Sequence, residues 1–297
     1  MAVSAEPKPL GHPLPGGQDG ATVRLRPLKA GEIRVPPTFF DDPGGRLAVP
    51  RAFLARGARW VWAPVPAFLV EHPGAGPLLI DTGYHPSVGM VPDENLGRLG
   101  ARMFHARGVD GGVPARLRDL RLDPYRLRTV VMTHLHSDHA SGVAEFPEAT
   151  FVVDRREWSA AGEGGFREGY RHQQFDHAFD WRTIDYNGAL AEGLSPFGRT
   201  IDLFGDGSVR LISTPGHTLG HQSVLLRLRD RDALVCGDAA YLRRTIDEDA
   251  KPLACADEHL FRRSLREIRR FVEREPEAVV IPGHDAEAWE QLEEVYD

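Results

Sequence analysis

Residues 130–139 read Val130-Val131-Met132-Thr133-His134-Leu135-His136-Ser137-Asp138-His139, an apolar run that ends in four metal-type side chains within six residues. Alternate residues of an extended segment share a face, so His134 and His136 can address one ion. Asp138 and His139, just past the turn, can address a second. Three other apolar runs end the same way. Leu211-Ile212-Ser213-Thr214 leads through Pro215-Gly216 to His217, Leu234-Val235 through Cys236-Gly237 to Asp238, and Val279-Val280-Ile281 through Pro282-Gly283 to His284. A lone histidine at a strand end is more often a hydrogen-bonded core or surface residue than a ligand. Clustering reverses that reading, because a divalent ion needs about three to five protein ligands at roughly 2 Å and an open position for water. Asp238 is placed to bridge two ions about 3.5–4 Å apart. The expected metal set is His134, His136, Asp138, His139, His217, Asp238 and His284.

The composition suits an ordinary globular protein and narrows its partners. The 297 residues are 41% hydrophobic and 27% charged, enough to bury a large core. Lys and Arg number 36 against 43 Asp and Glu, a formal net charge of -7. No chain-wide cationic field exists for nucleic acid. The exception is the stretch holding Arg262, Arg263, Arg266, Arg269 and Arg270, where Leu260, Phe261, Leu265, Ile268 and Val272 recur at helical spacing. It reads as a solvated amphipathic helix. No apolar run approaches the roughly 20 residues that span a bilayer, and the first residues lack a basic start and an apolar segment. A cytoplasmic location is expected. Cys236 and Cys255 suggest one buried small hydrophobe and one free thiol rather than a disulfide framework.

Residues 1–20 read as a mobile Pro/Gly-rich arm, and residues 21–297 as one domain. Short apolar runs at Ala67–Val70, Leu78–Ile80, Val130–Met132, Phe151–Val153, Val209–Ile212, Ser223–Leu226, Ala233–Val235 and Val279–Ile281 predict buried strands. Glu163–Trp181 and Ala256–Arg274 are long and polar enough for covering helices. A layered α/β domain with two central sheets follows.

The His134-Leu135-His136-Ser137-Asp138-His139 run, together with Asp81-Thr82-Gly83, Gly216-His217, Gly237-Asp238 and Gly283-His284, resembles the metallo-β-lactamase superfamily from about residue 60 to 290. Within it, Thr214-Pro215-Gly216-His217-Thr218-Leu219-Gly220-His221-Gln222-Ser223, Asp238-Ala239-Ala240-Tyr241 and Gly283-His284-Asp285 are similar to quorum-quenching N-acyl-homoserine lactonases. The resemblance implies an αββα four-layer sandwich. It also implies two divalent ions, zinc foremost with iron, cobalt or manganese as alternatives. One would be held by His134, His136 and His217, the other by Asp138, His139 and His284, with Asp238 bridging. Asp81 would orient a ligand histidine, and a turn or cap role is the alternative on the residues alone. His221 reads as structural; His12, His72, His85, His105, His172, His177 and His259 read as surface or packing residues. Ser137 departs from the bulky aromatic of lactonases that tolerate short acyl chains.

The implied activity is opening of a lactone ring, with N-acyl-homoserine lactones as the expected small-molecule substrate. Two ions acidify a bound water, which then attacks the ester carbonyl. Tyr241, Asp138 and Asp238 are the catalytic candidates. Tyr241 would donate to the developing oxyanion; Asp138 could pass a proton to the departing alkoxide, although ligation would lower its pKa and weaken it as an acid. Trp60, Trp62, Phe68, Met90, Leu96, Met103 and Phe104 could line an acyl groove or belong to the core. Alternatives are another ester, thioester or lactone hydrolase, or an iron-dependent oxygenase or redox protein. Only Asp285–Asp297 follow the last ligand, which argues against a thioesterase with an appended helical domain.

Overall fold

The computed structural model describes residues 3–41 and 60–297. Residues 42–59, part of the span read as one domain, lie outside the described residues. The first sheet contains β1 (Lys8–Pro9), β2 (Arg24–Val35), β3 (Val61–His72), β4 (Gly76–Ile80), β5 (Arg107–Gly108), β6 (Thr129–Val131), β7 (Thr150–Asp154) and β8 (Asp180–Ile184). Its order is β1-β8-β7-β6-β4-β3-β2-β5. The second contains β9 (Ala191–Leu194), β10 (Phe197–Asp202), β11 (Val209–Ser213), β12 (Gln222–Arg227), β13 (Asp232–Gly237) and β14 (Val279–Pro282), in the order β14-β13-β12-β11-β10-β9.

Why these strands are continuously apolar is visible in how each sheet divides its side chains. Leu78, Ile80, Val131 and Val152 point into the cluster between the sheets, where they meet Val209, Leu211, Val224, Leu226 and Val235. Their sequence neighbours Leu79, Val130, Phe151 and Val153 point to the opposite face. Ile212, Leu225, Leu234 and Cys236 likewise cover the outer face of the second sheet. Strands buried on both faces carry no polar alternation, and each fully buried aliphatic side chain contributes about 1.5–3 kcal/mol. Helices complete the layers: α1 (Pro92–Phe104), α2 (Gly112–Asp119), α3 (Ser137–Ala140), α4 (Arg155–Glu163) and α5 (His172–Phe175), then α6 (Arg243–Glu248), α7 (Glu258–Arg274) and α8 (Ala286–Glu290). The expected four-layer sandwich is present.

Helix α7 is the expected Arg-rich amphipathic helix. Phe261, Leu265, Ile268 and Phe271 are buried, while Arg262 pairs with Glu258 and Asp249, and Arg263 with Glu267. The reading of Glu163–Trp181 as a helix is corrected. Helix α4 ends at Glu163, a short turn and α5 follow, and Trp181 lies within β8. Gly164 and Gly165 stop the helix and Gly169 takes φ 90°, so the stretch breaks into pieces that polarity alone did not reveal. Among the described residues no helix is long and apolar enough to cross a membrane.

The Pro/Gly-rich leader runs along the body of the protein. Ser4 and Ala5 donate to Asp176, β1 pairs with β8, and Leu10 and Leu14 pack on the inter-sheet cluster. Its far end meets a buried polar anchor. His72 Nδ1 accepts from the Gly74 and Ala75 backbone N–H groups, so its Nε2 donates to Asp206, 3.0 Å away. Asp206 also accepts from the backbone N–H groups of Gln18 and Ser208. Burial raises this carboxyl, but the bonds from Ser208, Gln18 and His72 outweigh it and hold the pKa at about 2. A depressed acid stabilises the fold above its unfolded pKa and loses that contribution as pH falls through the folded one. Asp206→Ala should therefore cost about 1–3 kcal/mol at neutral pH, and the gap to wild type should close between about pH 4 and 2. Urea denaturation of both proteins across that range checks this; equal stability at neutral pH would refute it.

Candidate metal centre

All seven predicted ligands converge at one edge of the sandwich. Strands β4 and β6 are parallel, and β11, β13 and β14 share a direction because β12 is antiparallel to both β11 and β13 while β14 is parallel to β13. The carboxyl ends of β11, β13 and β14 therefore lead into His217, Asp238 and His284 on one side of the second sheet, and the His134 end of β6, in the first sheet, meets them there. His134, His136, His217 and Asp238 place one ligand atom each within 4.8 Å of one another, and so do Asp138, His139 and His284.

Asp238 stands between the two groups. Its Oδ2 lies 3.2 Å from His217 Nε2 and 3.7 Å from His134 Nε2. Its Oδ1 lies 3.3 Å from His284 Nε2 and 3.4 Å from His139 Nε2. Asp138 Oδ2 sits 3.5 Å from His284 Nε2 and 4.0 Å from His139 Nε2. One carboxylate thus turns a different oxygen to each group, as a bridging ligand does. Burial opposes its charge, yet the imidazoles of His284, His139 and His217 hold its pKa well below the ordinary carboxylate range.

The far side of each ring shows which nitrogen is left for a ligand. His284 Nδ1 donates to the Pro64 carbonyl at 2.8 Å, His217 Nδ1 to the Ala254 carbonyl at 3.1 Å, and His139 Nδ1 to Asp81 Oδ2 at 2.8 Å. Each ring is thus turned with Nδ1 outward and Nε2 toward the ligand group. Burial opposes charge on His139 and His284, but Asp238 and the neighbouring carboxylates outweigh it and hold both above the usual imidazole pKa, His139 well above. His134 and His217 are held well below their usual pKa, first of all by burial, and His136 is lowered for the same reason. His134 Nε2, His139 Nε2 and Asp238 Oδ1 are buried with no hydrogen-bond partner. Imidazole and carboxylate lone pairs facing one another at this range repel unless a proton or a metal ion lies between them. The donor set, nitrogen and carboxylate oxygen without thiolate, fits two divalent ions.

Backbone geometry makes the convergence possible. Asp81, directly after β4, takes φ 58°, a conformation that short polar residues tolerate best. Its carboxylate accepts from the Thr133 N–H and hydroxyl at 2.7 Å each as well as from His139. Asp81 is the orienting residue that the resemblance implied. Gly237 takes φ 54°, and a Cβ there would stand 2.8 Å from His221 Nε2. That nitrogen accepts the Asp238 backbone N–H at 2.9 Å, and Thr214 Oγ1 lies against Nδ1. Burial pushes His221 down to about 3, in keeping with an accepting, uncharged ring. His221 is outside the ligand groups and holds the loop that carries Asp238.

Tyr241 lies over the ligands, its hydroxyl 3.3 Å from His217 Nδ1. Its ring stacks on Phe39 at 5.6 Å between centroids and meets Phe40 edge-on at 5.8 Å. Phe39 and Phe40 had no sequence signal, since neither periodicity nor the resemblance reached them. Of the candidate apolar groove residues only Phe104 comes near Tyr241, edge-on to Phe39 at 5.9 Å; the others are dispersed. Phe68 lies between the sheets, Leu96 and Phe104 pack in the helical layer, Trp62 sits under the Arg107 guanidinium, Trp60 meets His105, Met103 is half-buried, and Met90 is exposed. Cys236 is buried and Cys255 partly so, both as free thiols.

Residues 60–284 match the family described as the metallo-beta-lactamase superfamily. The N-acyl homoserine lactonase AttM of Agrobacterium fabrum (strain C58) is 34% identical over 236 residues, covering 76% of this chain and 83% of that protein. Among solved structures, an N-acyl homoserine lactone hydrolase with N-hexanoyl-L-homoserine at its catalytic metal centre aligns with TM-score 0.70 and 23% identity, over 92% of this chain and 97% of that one. AidC, a dizinc quorum-quenching lactonase in complex with a product, aligns with TM-score 0.63 and 15% identity, over 93% and 90% of the two chains. At these identities the two structures speak to the fold alone.

Asp238→Ala removes the one carboxylate that, among the described residues, faces both groups, so the variant should hold fewer than two ions per chain and lose nearly all hydrolysis. His221→Ala should keep a metal content nearer wild type while losing about 1–3 kcal/mol of stability, because the Asp238 N–H is left unpaired. Elemental analysis with denaturation separates the two. Equal metal loss in both variants would mean that His221 is itself a ligand.

Proposed function

The chain belongs to the metallo-β-lactamase superfamily, and from that premise we propose that it is a metal-dependent hydrolase that opens the ring of N-acyl-homoserine lactones. The observation that carries the reading is the Tyr241 hydroxyl held beside the converging ligands, joined to the kinship with AttM. Zinc is the proposed native metal, supported by an all-nitrogen and carboxylate donor set. Two divalent ions, when bound, lower the pKa of a water toward neutrality and polarise the substrate carbonyl.

What the chain's own groups do follows from their surroundings. Burial, then the charges of Asp238 and Asp138, hold the Tyr241 phenol well above its ordinary pKa, so it stays protonated. His217 Nδ1 is already a donor to Ala254 and cannot accept the phenol's proton. That proton lies on the side of Asp238, whose hydrogen bond also raises the phenol, and it turns to the lactone carbonyl oxygen as that oxygen gains charge with the addition of water. Phe39 and Phe40 fix the ring so that little reorganisation is needed. Cleavage of the ring C–O bond then leaves an alkoxide that takes up a proton. That proton is the one the attacking water gives up, and Asp138, whose side chain is 21% exposed where Asp238 is 3% exposed, is the carboxylate placed to take it and pass it on. The product is the open hydroxy acid.

A planar ester carbonyl with one neutral donor beside it suits this site. Phosphodiesters develop more negative charge and would call for a cation where Tyr241 stands. Metal-loaded protein should hydrolyse N-acyl-homoserine lactones faster than thioesters, β-lactams and phosphodiesters. Tyr241→Phe keeps ring volume and ligands, so kcat and kcat/KM should fall together by about 10–10³-fold with metal content unchanged. A change confined to KM would indicate uniform substrate binding. Full activity of the variant on every lactone, with another ester class turned over faster, would refute the lactonase reading.

A further inference from the structure

A second buried acid lies behind the ligands. Glu157, in the first turn of α4, has no exposed surface. Asp154-Arg155-Arg156-Glu157 has capping-box spacing, in which the acid would turn back to the helix start. Asp154 does cap the helix, accepting from the Arg156 N–H. Glu157 instead reaches away from it. Its Oε1 accepts from the Leu135 N–H and the Tyr170 hydroxyl, both at 3.0 Å. Its Oε2 accepts from the Thr218 hydroxyl at 2.5 Å and the Gly220 N–H at 3.3 Å.

Each of those donors belongs to a segment that carries or supports a ligand. Leu135 lies between His134 and His136, and Thr218 follows His217. Tyr170 bridges to His136 through the backbone, and its ring lies 5.0 Å from that imidazole. One carboxylate therefore ties together the loops bearing His134, His136 and His217, three of the four residues in one ligand group. Among the described residues it accepts no hydrogen bond from Asp138, His139 or His284 themselves; His139 and His284 are oriented by Asp81 and the Pro64 carbonyl. Taking a carboxylate fully out of water costs several kcal/mol unless its oxygens are satisfied, and here four donors satisfy them.

We propose that Glu157 is a positioning residue that sets the geometry of the His134, His136 and His217 ion position, and not of its neighbour. The proposal rests on the reading that these histidines hold an ion. Glu157→Gln keeps the shape but turns an amide NH₂ toward two of the four donors. The Tyr170 and Thr218 hydroxyls can rotate and accept from it; a backbone N–H cannot. One loop loses its anchor.

The test is metal affinity read by competition with a chromophoric chelator. Apo protein is titrated with Zn²⁺, and variants lacking His217 or His284 assign the two binding steps. In Glu157→Gln the step assigned to His217 should weaken by about 10–100-fold, with the other little changed. Tyr170→Phe, which keeps the ring and deletes one donor, should weaken the same step less and serves if the Gln variant does not fold. A core variant of matched stability loss, Phe151→Leu, should leave both steps unchanged. Unaltered affinities, or equal weakening of both steps, would show that Glu157 supports the fold only and overturn the proposal. Wild-type protein that binds fewer than two ions would overturn the metal reading beneath it, a failure visible before any variant is made.

Discussion

The arrangement around Asp238 is the constraint on which the remainder of the structure depends. A buried carboxylate whose two oxygens face two separate groups of imidazoles is tolerable only if positive charge lies between them, and each neighbouring element contributes to keeping that geometry fixed. Its backbone N–H is committed to His221, and Gly237 before it brings the chain within a distance that any side chain would obstruct. The ion positions are therefore set by covalent and hydrogen-bonded geometry rather than by the flexibility of long side chains.

That geometry is inherited from the sheets. Parallel strands in each layer end at the same edge, and the ligands sit on the short connections just beyond, where strand packing has already fixed the direction of the chain. Two carboxylates then brace the connections from behind. Asp81, in a strained left-handed conformation, holds Thr133 and His139; Glu157 holds Leu135, Tyr170, Thr218 and Gly220. Strain at Asp81 and burial at Glu157 both cost stability, which the surrounding hydrogen bonds offset locally.

The substrate side is built differently. Tyr241 takes its orientation from apolar contact with Phe39 and Phe40, residues more than 200 positions away in sequence, so the proposed donor is positioned by packing and the ligand side chains by hydrogen bonds. The open flank belongs to Asp138, the more exposed of the two acids in the site. On the proposed mechanism, a dry, rigid donor on one side and a wetter acid on the other would separate the place where charge develops from the place where a proton returns.

What the sequence by itself determined was local chemistry and its order along the chain. Four apolar runs, each ending in His or Asp after a Gly- or Thr-marked turn, were readable as strands with ligands because strand burial and metal preference both act through residue type at short spacing. The seven converging residues and the two-sheet class follow from that. Only the tertiary structure decided the rest. Glu157 has the spacing of an ordinary helix cap, and only the loops folded around it reveal another task; Phe39 and Phe40 carry no motif at all. Phe68 and Trp62 look alike as candidates for a groove, yet one is buried between the sheets and the other lies beneath an arginine. Glu163–Trp181 looked helical by polarity and was broken by its glycines. The physical reason is common to these cases: residue type reports what a side chain can do, whereas the partners that decide what it does are brought to it by packing between segments far apart in the chain.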